Sequence, residues 1–312
     1  MTNHRVAVIQ SGTILFDTPA TLDKLARSVG EAAAKGARLA VFPEAFVGGY
    51  PKGVDFGARV GSRTDEGREW FRRYHAAAID VPGSEVEAIG EVAREHAMHL
   101  VVGVIERDGG TLYCTALIFG DDGTLLGKHR KLMPTAMERL IWGQGDGSTL
   151  PVVETSMGRI GAVICWENYM PLLRTAMYAQ GVELYCAPTV DDRETWALSM
   201  RHIAFEGRCF VLSAVQYLTR GDCPDDYHPR EGDDPATVLI HGGSLIVGPL
   251  GEVLAGPVYG REAVLVADVD VGGLPRAKYD FDAVGHYARP DVFKLTVDTT
   301  ARRAVGFEKT QV

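Results

Sequence analysis

The chain has 312 residues, of which 46% are hydrophobic and 23% charged, and its formal net charge is −9. This is globular composition with enough length to bury a large core, and the acidic balance argues against a surface that tracks nucleic-acid phosphates. No apolar run approaches the ~20 residues of a membrane span, and "MTNHRVAVIQ" lacks an apolar leader core, so no membrane or nucleic-acid partner is expected.

"RVAVIQ" (5–10) reads as a strand. Residues 18–36 read as a helix, with Thr18 as its cap, Pro19 in the first turn and Gly36 closing it. Leu22, Leu25, Val29 and Ala32 share one face. "ARLAVFPE" is a second strand, stopped by Pro43. "GSEVEAIGEVAREHAMH" is a helix with a Ser84–Glu87 capping box and a buried stripe of Val86, Ile89, Ala93 and Ala97. "LVVGVIER" and "TLYCTALIFG" form a hairpin around "DGG", and "DDGTLLGKHRK" adds a turn and strand. The second half repeats the mixture. "GRIGAVIC", "VELYCAPT", "CFVLSAVQ", "GGSLIVGP" and "AVLVADVDV" are strands. "MPLLRTAMYAQG" and "ETWALSMRHIAFEG" are helices. A polar loop spans Asp222 to Pro235, and the residues after "GHYARPDVF" look extended. No linker divides the chain, so one domain is expected. The strands are apolar on both faces, which suggests sheets with helices outside them.

Five cysteines, Cys114, Cys165, Cys186, Cys209 and Cys223, are odd in number and fit no zinc spacing. They suit a reducing, cytoplasmic setting without a metal. Cys114, Cys186 and Cys209 sit in apolar strand-like runs and read as small buried hydrophobes. Cys165 differs, because it closes the apolar run "GAVIC" just before a helix, where helix-end N–H groups lower a thiol's pKa. Two further strand ends carry charge. Glu44 follows "VFP", and Lys131 follows "GKHR" with Glu138 seven residues on. Taken singly these are ordinary: a structural carboxylate, a solvated amine, an inert thiol and a solvated helix residue. Taken together they are a nucleophile, a general base and a cationic stabiliser. His129, two residues before Lys131, reads as a hydrogen-bonding support. Glu167 suits the first turn of the following helix.

"FPEAFVGGYPKG", "GKHRKLMPTAMERLIWGQGDGS", "ICWENYMPLLR", "LYCAPT" and "GHYARPDVF" resemble the nitrilases of plants and bacteria, the nitrile-hydrolysing branch of the carbon–nitrogen hydrolase superfamily. The likeness runs from about Arg5 to Phe293. It implies an α/β fold, a four-layer αββα sandwich forming a single domain over 1–293, with 294–312 as a C-terminal arm. It implies Cys165 as nucleophile, Glu44 as general base, Lys131 as stabiliser of tetrahedral intermediates, and Glu138 positioning substrate or water. Trp166 is expected to wall the pocket, with Tyr50, Trp142, Val190 and Trp196 as further lining candidates. Glu167 and Asn168 are expected to support the site beside His129. No cofactor or metal is implied. The family pairs through helices near the cysteine into αββα–αββα dimers, some of which extend into spirals. The expected reaction converts an organic nitrile, aryl-alkyl or aromatic, to acid and ammonia through a thioimidate and a thioester. The alternatives are an amidase or carbamoylase, a cyanide-hydrolysing enzyme, or a silent scaffold, the last disfavoured by the intact set Glu44, Lys131, Glu138 and Cys165.

Overall fold

A computed structural model describes residues 3–302 and 305. Strands β1 (Asn3–Gln10), β2 (Leu39–Val41), β3 (Ile79–Asp80), β4 (His99–Asp108), β5 (Thr111–Phe119) and β6 (Leu125–Arg130) occupy the first part of the chain. Then come β7 (Val152–Thr155), β8 (Gly158–Ala162), β9 (Leu184–Cys186), β10 (Phe210–Ser213), β11 (Tyr217–Thr219), β12 (Val238–Val247), β13 (Val253–Tyr259) and β14 (Ala263–Asp270). The helices are α1 (Thr18–Ala34), α2 (Asp65–Ala77), α3 (Ser84–Glu95), α4 (Pro171–Ala179), α5 (Glu194–Gly207) and the single turn α6 (Leu274–Ala277).

One sheet runs β14-β1-β2-β4-β5-β6, with β3 against β4; the other runs β11-β12-β10-β9-β8-β7, with β13 against β12. In each, the central pairs are parallel and the outer ones antiparallel, except that the short β3 runs parallel to β4. β14 crosses back to the first sheet and pairs with β1 along its whole length, from Asn3 opposite Asp270 to Gln10 opposite Ala263.

The period of two in each strand builds the layers. Val6 and Val8 join a core with Ile160, Ala162, Leu184 and Leu212, between the sheets. Their neighbours Ala7 and Ile9 face Leu25 and Val29 of α1 and Ile89 of α3. On the second sheet Tyr185 and Val211 turn outward to Met177 of α4 and to Met200 and Ile203 of α5. The result is the expected αββα sandwich, because strands apolar on both faces need cover on both.

Several local expectations are corrected. The cap of α1 is Asp17, whose Oδ1 accepts from Ala20 N at 3.0 Å. Thr18 lies inside the helix and its hydroxyl donates to Ala77 O. Gly83 occupies the cap of α3, and Ser84 bonds Glu85 instead of closing a capping box. Ala97 is exposed at φ 45°, past the helix end and off the buried stripe. Helix α2 was not anticipated: of its buried residues only Gly67, Tyr74 and Ala77 mark an inner face. β3, β7, β11 and β13 were also missed. Residues 294–302 form no helix or strand, and Arg302 N donates to Asp146 Oδ2 at 2.7 Å. The rest of the expected arm, 303, 304 and 306–312, lies outside the described residues.

Candidate active site

The chain leaves β2 at Phe42 and turns through Pro43 and Glu44 with Ala45 at φ 50°. Gly103 on β4 makes room: a Cβ there would stand 2.1 Å from Pro43 O and 2.7 Å from Glu44 Cα. Gln216, from the opposite sheet, donates to Glu44 O at 2.8 Å. Lys131 follows β6, its backbone fixed by bonds to Cys114 O and from Gly145 N, both 2.8 Å. Its ammonium donates to Glu44 Oε1 at 2.6 Å and Glu138 Oε2 at 2.8 Å. The Trp142 ring lies 5.4 Å from the same nitrogen. Glu138 sits in a short 3₁₀ turn, Ala136–Leu140. It also accepts from Thr135 N at 2.6 Å and the Tyr50 hydroxyl at 2.9 Å, so it is an engaged group rather than a solvated one.

Cys165 lies past the end of β8, which stops at Ala162, and it opens the 3₁₀ turn Cys165–Tyr169. Its φ is 51°, a left-handed conformation that an L-residue holds only when its surroundings enforce it. They do so here. Cys165 N donates to Pro188 O at 2.8 Å. Asn168 Nδ2 donates to Val163 O and Cys165 O at 2.9 and 2.8 Å. The sharp turn from strand to helix presents the sulfur to the space between the sheets, and the Thr189 hydroxyl donates to it at 3.1 Å. Glu167, in the same turn, accepts from Leu132 N, Ile164 N and His129 Nε2 at 2.5, 3.1 and 2.9 Å.

The electrostatics follow from burial. Glu44 and Lys131 are fully buried and Cys165 nearly so. Burial pushes the Glu44 carboxyl above its usual range, with Lys131 pulling the other way. Burial also pulls the Lys131 ammonium down, but Glu44, Cys165, Cys114 and Glu138 outweigh it, and the ammonium stays charged. The Cys165 thiol is raised well above its usual value by burial and then by Glu44, so the proton rests on sulfur. Glu44 Oε2 is buried and has no hydrogen-bond partner among the described residues, which leaves it free to accept that proton.

A cavity of about 370 Å³ reaches Glu138 and is lined by Tyr50, Phe56, Tyr74, Ile141 and Trp142, with Lys52 and Arg230 also on its wall. Of the lining candidates, Tyr50 and Trp142 are there; Trp166, Val190 and Trp196 do not line this cavity. Trp196 is corrected to a core residue: it packs with Met200 and Ile203 and donates to Ser213 Oγ at 2.8 Å. Trp166 is partly exposed, donates to Asp191 Oδ2 at 2.8 Å and stacks beneath Arg193. Val190 packs in the outer core of the second sheet. Sequence reasoning passed over Cys114, whose thiol donates to Glu44 Oε1 at 3.5 Å. It also passed over Thr189 and Gln216. Thr189 ends the quoted block "LYCAPT" and could have been found there; Gln216 carries no sequence signal. Among the described residues no group of three or more His, Cys, Asp or Glu side chains could hold a metal ion, and no helix is long and apolar enough to cross a membrane.

A buried thiol, an acceptor oxygen and a shared ammonium are the equipment of a thiol-dependent hydrolase, able to form and cleave an acyl–sulfur bond. Residues 5–279 match the family described as carbon-nitrogen hydrolase. The chain is 61% identical over 305 residues to an aliphatic nitrilase of Sinorhizobium fredii (strain HH103), covering 98% of this chain and 99% of the relative. It is 59% identical to a bifunctional nitrilase/nitrile hydratase of Lupinus angustifolius, over 97% of this chain and 88% of the relative. Among solved structures, the C. elegans NitFhit protein superposes with a TM-score of 0.74 at 21% identity, over 98% of this chain and 70% of that one. An amidase from Nesterenkonia sp. gives 0.64 at 20% identity, over 89% and 95%. These two likenesses establish the fold. The chain belongs to the carbon–nitrogen hydrolase family, and within it to the relatives of plant and bacterial nitrilases.

Proposed function

We propose that this chain is a nitrilase that hydrolyses an organic nitrile to the carboxylic acid and ammonia. The observation that carries this is its identity of more than half, over nearly its full length, to proteins named nitrilases. The site supplies the chemistry. Glu44 Oε2 takes the Cys165 proton as the sulfur bonds to the nitrile carbon. The carbon–nitrogen π electrons move to nitrogen, which receives that proton, and a thioimidate results. Glu44 then draws a proton from water as its oxygen adds to the thioimidate carbon. The Lys131 ammonium stabilises the tetrahedral species, a contribution often worth ~3–4 kcal/mol. Glu138, tied to Lys131 and Tyr50, orients the water or the substrate. Glu44 returns that proton to the nitrogen. The new hydroxyl gives up its own proton to the resulting amine by way of Glu44 as its oxygen becomes the thioester carbonyl, so the carbon–nitrogen bond breaks and ammonia leaves. A second water then cleaves the carbon–sulfur bond, its oxygen going to the acid and one of its protons returning to the thiol.

If the carbon–sulfur bond of the tetrahedral species breaks first, the product is the amide. The lupin relative's bifunctional name favours this as a minor exit. An amidase would start from a planar carbonyl rather than a linear nitrile. The deciding measurement is kcat/KM for matched nitrile–amide pairs, aliphatic and aryl, with acid, amide and ammonia all quantified. Nitriles are expected to be better by at least ~100-fold, about 2.7 kcal/mol in transition-state binding. Consistently better amides would replace the nitrilase reading with an amidase. Five buried free cysteines support the cytoplasm as the place of work. Exposed apolar residues on α4 and α5 support pairing of two copies through these helices.

A further inference from the structure

We propose that Glu167, held by His129, is a positioning residue that fixes the Lys131 strand end against the Cys165 turn. This rests on the nitrilase reading of the same site. Lys131 leaves the first sheet and Cys165 leaves the second, so their separation depends on contacts across the seam. One carboxylate spans it. Glu167 Oε1 accepts from Leu132 N, the residue after Lys131, at 2.5 Å. Its Oε2 accepts from Ile164 N, the residue before Cys165, at 3.1 Å. The clasp therefore grips the backbone one residue from each reacting group.

His129 completes it. Its Nε2 lies 2.9 Å from Glu167 Oε2 and its Nδ1 lies 2.5 Å from the Thr149 carbonyl oxygen. Both partners are acceptors, so both ring nitrogens donate and the ring is an imidazolium paired with the carboxylate. Both side chains are fully buried. Burial lowers the His129 pKa and Glu167 raises it, and the net displacement is upward. Every group facing Glu167 in these bonds is a donor. The position thus demands a carboxylate, because an amide nitrogen there would confront an N–H. Active-site geometry is demanding: a displacement near 1 Å costs on the order of 100-fold in rate. A slack clasp loosens the approach of Lys131 and Glu44 to the sulfur without altering the cavity wall at Tyr50 and Trp142.

The test is Glu167→Gln, which keeps the side chain's size and shape. Two readouts are taken on folded, active-site-counted enzyme: nitrile kinetics, and the rate at which iodoacetamide alkylates Cys165. The expected result is a kcat at least ~100-fold lower with KM within ~3-fold, and an alkylation rate lower by ~10-fold. A kcat within ~3-fold of wild type, or a loss confined to KM, overturns the proposal. If Glu167→Gln fails to fold, His129→Gln decides. It keeps a donor toward Glu167 and loses the charge, and it should lower kcat ~10-fold at unchanged KM, whereas wild-type kcat overturns the clasp. The alkylation arm needs no nitrile. Failure of wild-type enzyme to turn over any nitrile would remove the nitrilase reading, while the alkylation rates would still decide the clasp.

Discussion

Glu44 divides its work between two oxygens. Oε1 is occupied by the Lys131 ammonium and the Cys114 thiol, whereas Oε2 is buried and has no partner among the described residues. Cys165→Ala should abolish turnover with the fold intact, and intact-mass analysis should detect an acyl adduct on wild type alone; turnover persisting in the alanine protein would remove Cys165 as nucleophile. The working form of Glu44 is the carboxylate, and its pKa is held above 4.5. Activity should therefore fall as pH drops through a value above 4.5. A kcat/KM profile whose acid limb lies at or below 4.5 would show that another group controls it. Lys131 stands between two carboxylates, both at charge-assisted hydrogen-bond distance. Lys131→Met should eliminate activity and lower the unfolding free energy in urea by about 3–5 kcal/mol, the cost of leaving buried like charges unpaired.

At the scale of elements, β6 shows how one strand serves two purposes. His129 turns toward Glu167, while Lys128 and Arg130 point the other way onto Glu106, at 2.6 Å each at their closest. The basic run "GKHRK" is thereby accounted for within the fold. Burial raises the Glu106 pKa, but the bonds from Arg130 and Lys128 outweigh it and the carboxyl lies below its usual 4.5. A depressed carboxylate stabilises the fold above the unfolded value, and that contribution is lost as pH falls through the folded one. Glu106→Gln should be less stable than wild type at pH 7, with the gap in Tm narrowing below pH 4.5. A gap that is constant with pH would disprove the linkage. Strands and helices with one strong apolar face were legible in the sequence, and α5 occupies the very span "ETWALSMRHIAFEG" that its pattern marked. Helix α2 was not legible, because its sequence "DEGREWFRRYHAA" is nearly half charged and buries little. Cys165 and Glu44 stood out as reactive groups ending apolar runs, and Lys131 as a charge just past a strand. The convergence of Cys114, Thr189 and Gln216 did not, because it depends on how strands from two sheets face each other.

Across the whole molecule, the outer helices of the second sheet are unlike those of the first. Leu172 on α4 and Leu198 on α5 are 67% and 63% exposed, with Phe205 at 49%. Exposed apolar area of this kind on neighbouring helices suits an interface. Light scattering at micromolar concentration should find a dimer or larger species, and Leu172→Glu with Leu198→Glu should shift it toward monomer; a wild-type monomer would refute this. The sheets themselves share out the reacting groups. Glu44, Lys131 and Glu138 come with the first, and Cys165 with the second. Yet β14, the last strand, is sewn beside β1, the first, along eight paired residues. A polypeptide cut near Gln144 would yield two inert pieces, one bringing the carboxylates and amine, the other bringing the thiol together with the strand that finds its mate. Mixed, they should reassemble and regain hydrolysis, so that this architecture doubles as a two-piece reporter of molecular encounter.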